Sequence, residues 1–234
     1  MTSTNQDPVL VVLQLSGGND ILNTVIPYND PLYVDNRPNV RIPTDQVIPI
    51  NDNLGFNPNM APLKPLWDEG HMAIVQGVGY PNPNRSHFRS MDIWHTCEPD
   101  KIAEEGWLGR AIRDLDPNKE NVLTGVNFGR GLPRALAAPG VPVASVGSLE
   151  TYGVLTSIEQ EEKRSEALNI FSRMYSPTMG QGPVFDYLSQ NCMDALTGAD
   201  ILVHAPGKYS SSVAYGASST SQYMRNTAKV PLAG

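Results

Sequence analysis

The sequence predicts an α/β protein. Two short valine-rich apolar runs, VLVVLQL at Val9–Leu15 and HMAIVQGVG at His71–Gly79, each lead into glycine-containing turns. Runs of this length suit strands of a mostly parallel sheet covered on both faces. They alternate with helical patterns, which is the layering of an α/β domain. In such folds ligands bind at the carboxyl ends of the strands, so the residues just past each run are the first candidates for a site.

The elements follow in chain order. Asp7-Pro8 leads into the first run, and Ser16-Gly17-Gly18-Asn19-Asp20 leads out of it. The segment Ile26 to Asn59 is rich in Pro and Asn and has room only for short elements. Within it, DPLYVDNRP starts a helix with Asp30 as N-cap and Pro31 at the first helical position, and Pro38 stops it. Asn59 to Gly70 reads as a helix closed by a C-terminal glycine. After the second run, the proline-punctuated loop YPNPNRSH passes into an amphipathic helix through Thr96. Gly106–Leu115 is a helix, and Asn121–Gly129 and Val141–Gly147 are strands. Ser157–Tyr175 is a helix capped by Ser157, with acids in its first turns and Leu168, Phe171 and Tyr175 on one face. Pro183–Gly198 is another, with Val184, Leu188, Cys192 and Leu196 four apart. Ser210–Ser221 is a serine-rich loop, followed by a helical pattern from Gln222.

Composition narrows the function classes. The 234 residues suffice for a substantial core. With 40% hydrophobic and 18% charged residues, the chain has the composition of a globular protein. A net charge of -7 argues against a nucleic-acid partner, which needs basic patches. No run approaches the about 18 apolar residues of a membrane span. MTSTNQDP has no basic or apolar leader character, so the chain by itself reads as cytoplasmic. Cys97 and Cys192 lack CxxC spacing, which argues against a thiolate zinc site, and they read as two free thiols, with a single disulfide as the alternative.

Two places carry candidate chemistry. Asp20 is either turn and cap chemistry or a carboxylate delivered to a ligand crevice, where Gly17 and Gly18 let the backbone come close. In NPNRSHFRSMDIWH, Ser86 is placed to cap the following helix and to present its hydroxyl at the positive helix end, a position suited to a nucleophile or an anion. Arg85 and Arg89 flank it as candidate clamps on a phosphate or sulfate, with Asn84 and His87 as neighbours. His87, Met91 and His95 share a helix face. Ser90 is the alternative hydroxyl. His71 and His204 read as loop residues.

LVVLQLSGGNDILNTVIPY together with PLKPLWDEGHMAIVQGVGYPNPNRSHFRSMDIW resembles the domain of unknown function 1501 family over most of the chain. That family is itself similar to the alkaline phosphatase and sulfatase superfamily. The resemblance implies an alkaline-phosphatase-like α/β sandwich with a mostly parallel sheet, of which residues 1–234 form an N-terminal portion. It implies a metal-dependent hydrolase of phosphate or sulfate esters, with Asp20 as a metal ligand and Ser86 as nucleophile. Asn84, Arg85, His87 and Arg89 would bind an anionic small molecule or glycan ester. Zinc, calcium or magnesium would be bound only in the full-length protein, because the family's later F-D-T-H, E-F-G-R and D-H-G motifs do not occur here. This chain alone is therefore expected to be inactive and to expose apolar surface where further strands pair. Family members often carry export signals, which implies a periplasmic alternative. The competing reading is a non-catalytic binding or cell-envelope scaffold on the same fold.

Overall fold

The computed structural model describes residues 8–15, 17–129, 131–147, 149, 158, 160–174, 182, 189, 192–196, 198–199, 202 and 210–230. The fold is mixed α/β. It divides into two compact units, one of residues 12–79 and one of residues 1–11 with 80–234.

In the unit of residues 12–79, three two-residue strands form an antiparallel sheet: β1 (Val25–Ile26), β2 (Ile48–Pro49) and β3 (Gly55–Phe56), in the order β1-β3-β2. Val25 and Ile48 both pair with Phe56, and Ile26 and Pro49 with Gly55. Ile26 and Phe56 are fully buried, and Tyr33 and Val47 are buried as well. Tyr28, Val34 and Ile42 pack against Ile26, Tyr33 and Val47. Helix α1 (Pro31–Asn36) starts as its sequence dictates, with the Asp30 carboxylate accepting from the Leu32 N–H at 2.9 Å and proline in the first turn. The predicted helix at 59–70 is a 3-10 segment, Pro58–Leu63, followed by α2 (Lys64–Asp68). Pro62 and Pro65 remove the N–H donors that a continuous α-helix would need. Gly70, at φ +73°, donates to the Trp67 carbonyl, and His71 donates to that of Leu66, which is the Schellman pattern of a glycine stop. Trp67 meets the edge of Phe56 with ring centroids 6.1 Å apart.

The unit containing residues 80–234 holds a parallel pair, β4 (Val126–Phe128) and β5 (Ala144–Val146), with Val126 opposite Ala144 and Phe128 opposite Val146. Both fall inside the predicted strands. Val146, Leu149 and Leu202 are buried with Ala144 beside this pair, and Leu123, Val126, Phe128 and Val230 pack on them. The helices are α3 (His87–Thr96), α4 (Trp107–Leu115), α5 (Glu161–Met174) and α6 (Ser219–Lys229). Residues 192–196 are also helical, within the predicted Pro183–Gly198 helix. Ser157, Tyr175, Pro183, Val184, Leu188 and His204 lie outside the described residues. Both cysteines are free.

The two runs that point most directly to a parallel sheet, Val9–Leu15 and His71–Gly79, are not strands here. No described residue forms a ladder with them, and most of their apolar side chains face solvent, with Leu10 76%, Leu15 77% and Val75 78% exposed, while Met72 and Ile74 are half-buried. Strand character in an apolar run is a capacity that only a neighbouring strand realises, since the backbone N–H and C=O groups need partners.

Close packing fixes α4. A Cβ on Gly106 would lie 2.1 Å from the carbonyl oxygens of both Arg134 and Ala135, and one on Gly109 would lie 2.8 Å from the Ala138 methyl. The helix start therefore rests directly on the 3-10 turn Arg134–Leu136. Gly106→Ala is expected to cost about 1–3 kcal/mol through forced backbone displacement, whereas Gly18→Ala, with nothing within 4 Å, leaves stability unchanged. Urea unfolding of the two variants beside the parent checks this.

Candidate functional site

The loop before α3 is built by local polar chemistry. The Asn84 side-chain oxygen accepts from the Ser86 N–H at 2.8 Å, an Asx turn that sets the backbone for a helix start. The Asn84 N–H in turn donates to the Tyr80 hydroxyl at 2.9 Å. Ser86 sits at the N-cap with extended backbone, φ -74° and ψ 123°, and its Oγ accepts from the Arg89 N–H at 3.5 Å. Capping uses the Ser86 oxygen as acceptor and leaves its hydroxyl hydrogen available to donate. Ser90 is placed differently, since its hydroxyl donates back to the Asn84 carbonyl at 3.2 Å. Of the two candidate hydroxyls, Ser86 is thus the one presented at the helix end.

The residues around Ser86 divide into two groups. Asn84, Arg85, Ser86 and His87 are exposed together at the first turn of α3. Arg89 points elsewhere, with one guanidinium nitrogen donating to the carbonyls of Glu98, Pro99 and Lys101 at 3.2, 3.0 and 2.7 Å. It ties down the chain after α3 and is not extended toward a ligand. Four of the five candidates of this loop are thus exposed, and the fifth is engaged in support.

That support continues through two more arginines. Arg110 donates to the Thr96 carbonyl at 2.8 Å and to the Glu105 carbonyl at 3.0 Å. Arg134 pairs with Asp92 and donates to the Ala103 carbonyl at 2.5 Å. Asp92, placed by its sequence on the same helix as the site, is therefore a structural anchor. Cys97 closes α3 in the left-handed region at φ 55°, a conformation uncommon for a residue with a side chain. His95 is half-buried, and the neighbouring Trp94 is exposed.

Asp20 belongs to the other unit. It precedes a 3-10 turn, Ile21–Asn23, without a side-chain capping bond, and its carboxylate pairs with Arg37. Arg37 also stacks 5.9 Å from the centroid of the Tyr33 ring. Tyr33 donates to the Asn23 side chain at 2.7 Å and accepts from the Ile42 N–H at 2.8 Å, so the partner of Asp20 rests on a held ring. Arg37 lies seventeen residues away with no local pattern connecting the two, which is why sequence reading missed it. The zinc, calcium or magnesium implied by the resemblance finds no fit in this setting. Asp20 is one carboxylate neutralised by a guanidinium, and among the described residues no group of three or more His, Cys, Asp or Glu is placed to hold a metal ion.

No helix among the described residues is long and apolar enough to cross a membrane. Comparison with protein-family models, curated proteins and solved structures gives no match.

Two carboxylates beside α4 are held below their ordinary ranges. Glu105 accepts both guanidinium nitrogens of Arg113 at 2.7 and 3.0 Å, and that hydrogen bonding lowers its pKa from the ordinary 4.5. Asp116 accepts from the backbone N–H groups of Asn121 and Glu120, which lowers it from 3.8. A carboxylate depressed by folding stabilises the native state above its unfolded pKa and loses that contribution as pH falls through its folded value. The contributions of these two carboxylates to stability are therefore expected to be constant above about pH 5. They should fall once pH drops below 4.5 for Glu105 and 3.8 for Asp116. Arg113→Gln should make the acid limb shallower, as followed by circular dichroism in urea at each pH.

Proposed function

We propose that the first turn of α3 is the ester-binding and nucleophile-bearing element of a phosphate or sulfate ester hydrolase. The observation that supports this reading is the joint exposure of Ser86, Arg85 and His87 at a helix N-terminus, on a loop held rigid by Asn84 and Tyr80. Backbone N–H groups at such an end favour an oxyanion, and the Arg85 guanidinium adds a charged fork. The Ser86 Oγ attacks phosphorus or sulfur and forms a seryl ester as the bond to the alcohol oxygen breaks; the serine proton passes through solvent to the departing alkoxide, and water then hydrolyses the seryl ester and frees the serine. His87 supplies a further donor to the oxyanion. Asp20 is the metal ligand in the resemblance, but its Arg37 partner means that no step is assigned to a metal. The substrate class is an anionic small-molecule or glycan ester.

A second reading rests on a specific observation. Asp20 and Arg89, two of the six residues assigned to this chemistry, are engaged in ion pairing and loop support. A protein that binds anionic esters without turning them over requires only the exposed group, and would act as a binding or envelope scaffold.

Hydrolysis of aryl phosphate and aryl sulfate by the full-length protein that the resemblance implies, assayed with zinc, calcium or magnesium added, separates the two. Under the hydrolase reading, Ser86→Ala abolishes turnover, and Arg85→Gln lowers kcat/KM by about 10- to 100-fold, the usual scale for a lost charge-assisted bond. Turnover unchanged in Ser86→Ala contradicts it. Ester binding without turnover in that full-length protein, with metal supplied, favours the scaffold reading.

A further inference from the structure

The last described segment forms a feature that the α3 loop does not use. Residues 201–234 contain no Asp or Glu and three Lys or Arg, in a chain whose net charge is -7. Here a cleft of about 420 Å³ is lined by Ser210, Ser211, Val213, Tyr215 and Arg225. That volume falls in the range of small-molecule sites, and four of its five lining residues are polar.

The cleft is built by α6 and the loop before it. Ser218 caps α6, its Oγ accepting from the Ser221 N–H at 3.2 Å and donating to the Ser221 hydroxyl at 2.9 Å. Gln222 reaches back to the Gly216 carbonyl at 2.7 Å and pins the loop to the helix. Arg225 follows Gln222 by three positions, so both side chains lie on the helix face that the loop crosses. No hydrogen bond or ion pair engages Arg225 among the described residues. The Ser211 Oγ accepts from the Val213 N–H at 3.1 Å, which leaves its hydroxyl hydrogen to donate into the cleft.

We propose that this cleft is a binding site for a small molecule bearing a tetrahedral oxyanion, a phosphate or a sulfate. The Arg225 guanidinium supplies a bidentate charged fork matched to such a group. The Ser210 and Ser211 hydroxyls complete its hydrogen bonding, and Val213 and Tyr215 contact the body of the molecule. No carboxylate is among the residues lining the cleft, so none of its walls repels an anion directly. The site is independent of Ser86 and of any hydrolytic activity.

Isothermal titration with inorganic phosphate and with inorganic sulfate, at constant ionic strength, tests it. A saturable binding step that persists in Arg85→Gln, weakens about ten-fold or more when Arg225→Gln is added to that variant, and survives with Arg225→Lys in its place supports the proposal. The Lys variant controls for folding. Absence of saturable binding in the parent, or equal binding when Arg225→Gln is added to Arg85→Gln, overturns it. Loss of binding in Arg85→Gln alone also overturns it, by placing the anion at α3 and leaving the hydrolase reading intact.

Discussion

The position of α3 depends on arginine side chains that satisfy backbone carbonyls. Arg89, Arg110 and Arg134 together donate to the carbonyls of Thr96, Glu98, Pro99, Lys101, Ala103 and Glu105. The segment from the end of α3 to the start of α4 has no secondary structure to pair these oxygens, and leaving several partly buried acceptors unmet would cost on the order of 1–3 kcal/mol each. Three guanidinium groups take the place of a ladder. They hold the helix whose N-terminus presents Ser86, and the contact of Gly106 with Arg134 and Ala135 sets α4 on the same support.

This arrangement explains why residue type alone does not assign roles here. Arg85 and Arg89 are four apart and read identically from sequence, yet one is exposed beside Ser86 and the other is consumed by carbonyls past the end of the helix. Ser86 and Ser90 divide in the same manner, one capping the helix with its hydrogen free and the other bonded to Asn84. Asp20 and Asp92 each carry an arginine partner within their own unit. What remains exposed is compact, cationic and rich in donors, a composition suited to an anionic ester.

Locally encoded features were legible in the sequence. The caps at Asp30 and Ser86, the glycine stop at Gly70, α4 and the α5 region follow from short-range chemistry that needs no distant partner. β4 and β5 were also found, because their apolar runs do meet each other. Val9–Leu15 and His71–Gly79 carry the same signal without a partner among the described residues, so the pattern marked them correctly as apolar and did not determine their pairing. The sheet that does form in residues 12–79 uses strands of two residues, too short to show a period. The Asp20–Arg37 and Asp92–Arg134 pairs join residues 17 and 42 positions apart, beyond any local rule. The α6 cleft combines an ordinary serine loop with an ordinary helix, and only the missing acids hint at it.

The central claim is that an oxyanion binds at the first turn of α3. Amide chemical shifts recorded during a vanadate titration test it most directly, since vanadate mimics the transition state of phosphoryl transfer. The account predicts saturable shifts of the Ser86, His87 and Phe88 N–H signals that vanish in Ser86→Ala combined with Arg85→Gln. Saturating vanadate that leaves these three amides unmoved would contradict it.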